Sequence, residues 1–266
     1  QVMFQNNPVS GLFFFIAIGW GSYAADVPQV AIGGLLGIVV ATITAWWLRV
    51  DRAPLADGLY GFNAYLVGIA LPTFLAVSPL LWVYVALGAM VSVVATLATT
   101  NLLKTWGISG LTAPFILVTW LLLLSTYSFS GIQGDALPAS GLIMPISAAA
   151  ASPLAIVDFI EGILISISQV FVKGDGPAAL LILSGLAAGS LAAAGFALAA
   201  ALISVIVAHL LGAESQLITA GLIGFNPILT AVALGTVFYR PGPRVMIYAL
   251  LATALTVIVQ GAMISV

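Results

Sequence analysis

The chain has 266 residues, of which 62% are hydrophobic and only 5% charged, with a net charge of −2 and no cysteine. A soluble globular domain carries roughly a quarter charged residues, so this composition belongs to a chain built for lipid. The missing cysteine excludes disulfides, thiolate nucleophiles and Cys-based metal sites, and six dispersed basic residues exclude the basic stripe that nucleic acid requires.

The charges leave long gaps: none falls between Asp57 and Lys104, Lys104 and Asp135, Asp175 and Glu214, or Arg244 and the C-terminus. Each gap accommodates a span of about 20 apolar residues. In chain order, spans are predicted near Pro8 to Ala25, Val30 to Leu48, Pro79 to Leu102, Leu111 to Leu124, Ile156 to Val172, Ala178 to Ala194, Phe196 to Leu211 and Val245 to Val266. The second is the cleanest, because Trp46, Trp47 and Arg49 close it with the aromatic and basic ending of a helix leaving hydrocarbon. Asp57 to Thr73 and Gln216 to Tyr239 are interrupted by Gly and Pro and have little length to spare. They predict short or re-entrant helices, which a membrane tolerates only when they are buried in protein or face a water-filled cavity. Apolar segments recur to the last residue, so a single targeting signal does not account for them.

An internal repeat organises these segments. Gly58 to Leu71 reads GLYGFNAYLVGIAL and Gly221 to Leu234 reads GLIGFNPILTAVAL, identical at eight of fourteen positions at a constant offset of 163 residues. Gln1-Val2 recurs more weakly as Gln169-Val170, and Pro8 as Pro177. Counting Asp57 to Thr73, the first half holds five of these segments before the second begins, an odd number that predicts inversion of one half in the bilayer and a solute site near the midplane. The two domains expected are 1–150, the first repeat, and 151–266, the second. Fifty residues after Phe62 stands Thr112, and the same step from Phe225 passes beyond Val266. The chain is therefore expected to be a fragment of a longer protein, with its second repeat truncated.

Little in the sequence offers catalysis. His209 is the only histidine and reads as an interfacial polar residue; Asp158 and Glu161 share a helical face but read as solvated near the membrane surface. Asp51 and Glu214 are repeat mates, either polar loop residues or anchors of the broken helices. Coupled transport requires ionisable groups deep in the membrane, and their absence from the span centres argues for passive conduction. In the repeated motif, Gly permits close backbone approach, Phe supplies a flat apolar wall, and a broken helix frees carbonyls to line a cavity. Flat walls and a row of acceptors suit a planar amide. Phe62 and Phe225 are equally compatible with core packing, while Asn63 and Asn226 read as caps of the broken helices.

The string Asn6-Asn7-Pro8-Val9-Ser10-Gly11, both Gly-Phe-Asn motifs and Leu111-Thr112-Ala113-Pro114-Phe115 resemble the urea transporter family over essentially the whole chain. The resemblance implies an all-α polytopic membrane protein of two inverted repeats, each of about five transmembrane helices plus one re-entrant half-helix, assembled as a homotrimer with one pore per protomer. Carried over by motif, Phe4 and Phe62 would build one phenyl slot of the filter, with Val170 and Phe225 as candidates for the other, Leu66 and Leu229 as apolar walls, and Gln1 and Gln169 as polar groups at the filter ends. Thr112 would place a hydroxyl at the mid-pore constriction, where a group that both donates and accepts orients a passing amide. One departure is Gly176-Pro177-Ala178-Ala179 where the first repeat has Asn7-Pro8-Val9-Ser10, which predicts loss of the polar helix start.

The function expected is facilitated diffusion of urea through a multi-pass channel of the plasma membrane, or of the inner membrane in a bacterium, without enzyme activity, cofactor, metal or coupling ion. The alternatives are a channel of the same fold for another small solute such as a short amide or ammonia, a coupled secondary transporter, and a non-transporting scaffold.

Overall fold

The computed structural model describes residues 2–135, 137 and 154–264. Among these the chain is helical: α1 (Pro8–Ala24), α2 (Pro28–Trp47), α3 (Arg52–Ala56), α4 (Leu59–Phe74), α5 (Pro79–Lys104), α6 (Ala113–Ser125), α7 (Ile156–Ser168), α8 (Gly176–Gly189), α9 (Leu191–Leu210), α10 (Ser215–Thr219), α11 (Phe225–Val232) and α12 (Pro243–Ile264). Short 3-10 turns at Val2–Phe4, Thr126–Ser128 and Gln169–Phe171, and a π turn at Ala233–Phe238, complete the described elements.

Proline and small polar residues set the helix starts. Pro28 and Pro79 occupy first-turn positions where no intrahelical N–H is needed, and the Ser78 hydroxyl accepts from Leu81 N at 3.3 Å. Ser190, extended at φ −160°, accepts from Ala193 N at 3.2 Å and starts α9. The break between α8 and α9 therefore falls at Ser190, several residues before the predicted one near Ala194, because a hydroxyl cap outweighs a continuous apolar run.

α2, α5, α9 and α12 are long and apolar enough to cross a membrane. At 1.5 Å per residue even 20 residues reach about 30 Å, the thickness of the hydrocarbon core. α12 turns Ile247, Leu251, Leu255 and Ile258 outward at helical spacing, an apolar stripe suited to lipid or to another apolar surface. This is an all-α polytopic membrane protein.

The duplication is visible in the backbone. α2 and α9 have 20 residues each, α3 and α10 have 5 each, and both pairs start 163 residues apart. Asp51 and Glu214 precede the short helices with φ −55° in both and ψ 131° and 130°. Gly58 and Gly221, at φ 74° and 69°, then supply the left-handed turn into the broken segments.

Packing divides the chain differently from the repeat. α2 to α6 form one compact unit, and Val2–Gly21 joins the elements from α7 onward in the other. Phe13 and Phe14 lie against Gly185 of α8, and Phe14 meets Phe171 with ring centroids 5.3 Å apart. Asn7 donates to the Ala188 carbonyl at 3.3 Å.

Candidate solute filter

In the first unit the motif helix α4 is its most enclosed element, buried without a break from Asn63 to Pro72. It meets α2 by close backbone approach: a Cβ on Gly33 would collide with the Gly68 carbonyl oxygen, and one on Gly68 with that of Gly33. Small residues allow such contact in membrane helix pairs, where dispersion and weak Cα–H to oxygen contacts replace the hydrophobic drive. Phe62 sits half-buried at the first turn, and Leu66, one turn on, is buried.

Asn63 has a role that differs from the expected one. It does not cap its own helix, which begins at Gly58 and Leu59. Its side chain, fully buried, donates to the Thr96 hydroxyl and to the Leu111 carbonyl, each at 3.3 Å, and accepts from Phe115 N at 3.3 Å. Phe115 N is an unsatisfied donor of the first turn of α6, so Asn63 caps a different helix from across the fold. Thr112 is the N-cap residue of α6, yet its side chain makes no capping bond. Asn63 satisfies the helix end and leaves the Thr112 hydroxyl free for other partners. The preceding Leu111 is held at φ 43°, a strained value for a branched residue, with its carbonyl tied to Asn63.

In the second unit the motif helix α11 is shorter and continues as the π turn. It contacts both 3-10 turns, the one carrying Phe4 and the one carrying Gln169 and Val170. Phe225, Leu229, Phe4 and Val170 are all half-buried. Gln169 donates from Nε2 to the Ala220 carbonyl at 3.0 Å, pinning its turn beside the Gly221 entry. Asn226 also departs from a capping role: it donates to Gln260 Oε1 at 2.6 Å, and Gln260 Nε2 donates to the Leu222 carbonyl at 3.0 Å. A second polar pair, the Thr256 hydroxyl donating to Thr230 Oγ1 at 3.1 Å, replaces the buried valines 67 and 93 found at those positions of the first repeat.

The predicted site residues therefore divide between the two units: Phe62, Leu66 and Thr112 in the first, and Phe4, Gln169, Val170, Phe225 and Leu229 in the second. Gln1 lies outside the described residues. Val172, which the sequence did not single out, is left-handed at φ 56°, as Met3 and Phe4 are at 54° and 63°, and extending the Gln1/Gln169 register by three residues leads to it. The polar helix start expected to be lost in the second repeat is instead displaced by one residue: Asn7 Oδ1 accepts from Val9 N at 2.8 Å, and Asp175 Oδ1 accepts from Ala178 N at 3.1 Å. Among the described residues no group of three metal-ligating side chains gathers anywhere, and Asp158 is occupied with the start of α7, accepting from Ala155 N at 3.0 Å.

The first unit thus offers a cross-helix amide that caps α6 beside Thr112, and each unit carries its own phenyl and branched apolar side chains near its motif helix. The family model described as urea transporter matches residues 1–266. The chain belongs to the urea transporter family. Among curated members it is 29% identical to Urea transporter 1 of Rattus norvegicus over 244 residues, covering 90% of this chain and 61% of that relative. It is 26% identical to Urea transporter 1 of Ovis aries over 244 residues and 29% identical to that of Mus musculus over 245, with the same two coverages. The chain thus spans about three fifths of the length of these relatives, at 61%.

Proposed function

We propose that this chain carries the conducting machinery of a passive urea channel, with Phe4, Phe62, Val170 and Phe225 as flat walls, Leu66 and Leu229 as apolar lining, Gln1 and Gln169 at the filter ends, and Thr112 at the constriction. The observation that carries the proposal is the Asn63 bridge. It caps α6 from across the fold, so Thr112 can offer its hydroxyl to a solute. A hydroxyl donates and accepts in turn, which suits a molecule with a carbonyl flanked by two NH2 groups. Broken helices add backbone acceptors that offset the loss of the solute's hydration shell.

The names of the curated relatives support urea as the solute. No catalytic step, cofactor or coupling ion enters the mechanism; flux follows the gradient. The channel is a homotrimer with one pore per protomer, in the plasma membrane or a bacterial inner membrane. The decisive experiment is urea flux into proteoliposomes carrying the full-length parent, beside Thr112→Val and empty vesicles. Fast, non-saturating, pH-independent flux that Thr112→Val abolishes is expected; flux no faster than empty vesicles would overturn the proposal. Methylated and thio analogues, short amides and ammonia in the same assay separate urea from neighbouring solutes, and saturation or Na⁺ dependence would mark a coupled transporter.

A further inference from the structure

At the end of α2 the chain reverses through a Schellman turn, in which Arg49 N donates to the Trp46 carbonyl at 3.1 Å and Val50 N to the Ala45 carbonyl at 3.2 Å. The turn needs a left-handed residue at its centre, a position that favours glycine, and Arg49 fills it at φ 55°. Retaining a long charged residue where the backbone favours none calls for a cause outside the turn.

The second repeat is an internal control. After α9 the same turn forms, with Gly212 N donating to the His209 carbonyl at 3.0 Å, Ala213 N donating to the Ala208 carbonyl at 2.9 Å, and Gly212 at φ 75°. The helices on either side match in length. At the positions of Trp46, Trp47, Arg49 and Arg52, however, the second repeat has His209, Leu210, Gly212 and Ser215. Two indoles and two guanidiniums are therefore surplus to folding this corner.

Those surplus groups enclose a cleft of about 500 Å³, lined by Trp46, Trp47, Arg49, Val50, Arg52 and Leu55. Trp46 and Trp47 are 73% and 75% exposed, and both arginines are exposed. Among the described residues neither Arg49 nor Arg52 forms an ion pair, although Asp51 lies between them in sequence. Guanidinium forks match phosphate oxygens, indoles at the end of a spanning helix sit at headgroup level, and Val50 and Leu55 supply an apolar floor. We infer that this cleft binds the phosphodiester headgroup of an anionic phospholipid. A purely anchoring role for the aromatics would need neither the cleft nor an arginine in a glycine position.

The test uses the full-length parent purified in uncharged detergent, with lipid adducts counted by native mass spectrometry at equal concentrations of phosphatidylglycerol and phosphatidylcholine. Arg49→Gly/Arg52→Ser installs the second repeat's own residues, and Arg240→Ser/Arg244→Ser removes the same charge elsewhere. The phosphatidylglycerol adduct is expected to exceed the phosphatidylcholine adduct, to fall about tenfold or more in the first double variant, and to persist in the second. Equal retention of the two lipids, an undiminished adduct in Arg49→Gly/Arg52→Ser, or an equal loss in Arg240→Ser/Arg244→Ser would overturn the inference. Displacement of the adduct by millimolar inorganic phosphate would reassign the cleft to free phosphate and overturn the lipid. Arg52→Ser alone leaves the turn untouched and is expected to lose most of the adduct, which keeps the test open if the double variant folds poorly.

Discussion

The two motif helices enter by the same left-handed glycine and then solve their packing in opposite ways. In the first unit α4 brings backbone to backbone with α2, Gly33 facing Gly68 and Pro72. In the second, the position of Gly33 is Phe196 and that of Pro72 is Gly235; the ring of Phe196, buried at 2%, lies where a Cβ on Gly235 would be 2.5 Å from it. Small on α2 with large on α4 has become large on α9 with small after α11. Both solutions also interrupt the regular ladder: Pro72 brings no N–H for the Gly68 carbonyl, and the second helix passes into a π turn at Ala233–Phe238. What the two share is a departure from the regular hydrogen-bond ladder toward the end of the segment, Pro72 within a continuous α4 and the π turn after α11, while the packing around it differs.

Breaking the second solution should have the largest effect. Phe196→Ala removes a buried ring packed over Gly235, and should lower unfolding free energy by about 3–5 kcal/mol, read from unfolding in micelles. Gly33→Ala should fall at the upper end of the about 1–3 kcal/mol typical of overpacking, because the obstacle is a backbone carbonyl that cannot rotate away. The matched change Ala197→Gly, at the position of Gly34, meets no such obstacle and should cost about 1 kcal/mol. Equal costs for Gly33→Ala and Ala197→Gly would show that the close approach is not what holds α2 to α4.

The asparagines sharpen the same comparison at the level of function. Asn63→Ala strips Phe115 N and the Leu111 carbonyl of partners and should cost about 1–3 kcal/mol. It should also reduce urea flux toward that of Thr112→Val while the protein remains helical and monodisperse. Asn226→Ala loses one bond to Gln260, which keeps its own bond to the Leu222 carbonyl, so about 1 kcal/mol is expected. Flux equally impaired by both would place the two asparagines in the same role and sink the positioning argument for Asn63.

Much of this was legible in the sequence where the signal is local. Apolar runs closed by Trp and Arg located α2, Gly and Pro interruptions located α4 and α11, and the offset of 163 residues paired Asp51 with Glu214 and Gly58 with Gly221 before any backbone angle was known. The rest depends on partners distant in sequence. Asn63 reaches Phe115 across 52 residues, and Asn7 reaches Ala188 across 181, so neither the cross-helix cap nor the attachment of Val2–Gly21 to the later helices has a local signature. The displaced Asp175 cap escaped because one inserted residue breaks the register at the place where the two helix starts would be compared. The candidate filter residues were assigned by motif, and that Leu66 is buried while Phe62, Phe225 and Leu229 are half-buried follows from packing that composition does not encode.

The smallest effect expected is also the one whose sign decides most. If Arg49 sits in its left-handed position for the sake of a ligand, the fold alone should favour Gly there. Arg49→Gly should then raise stability in lipid-free detergent by up to about 1 kcal/mol, since a Cβ in that region costs roughly 1–2 kcal/mol and part of the gain is returned through the more flexible unfolded chain. The reciprocal Gly212→Arg should cost about 1–2 kcal/mol, because nothing in the second repeat rewards the strain. Urea flux should be unchanged in both, as neither residue belongs to the proposed filter. A loss of stability in Arg49→Gly without lipid would mean that the protein itself uses the guanidinium, and the two corners would then differ in structural need instead of in what they bind.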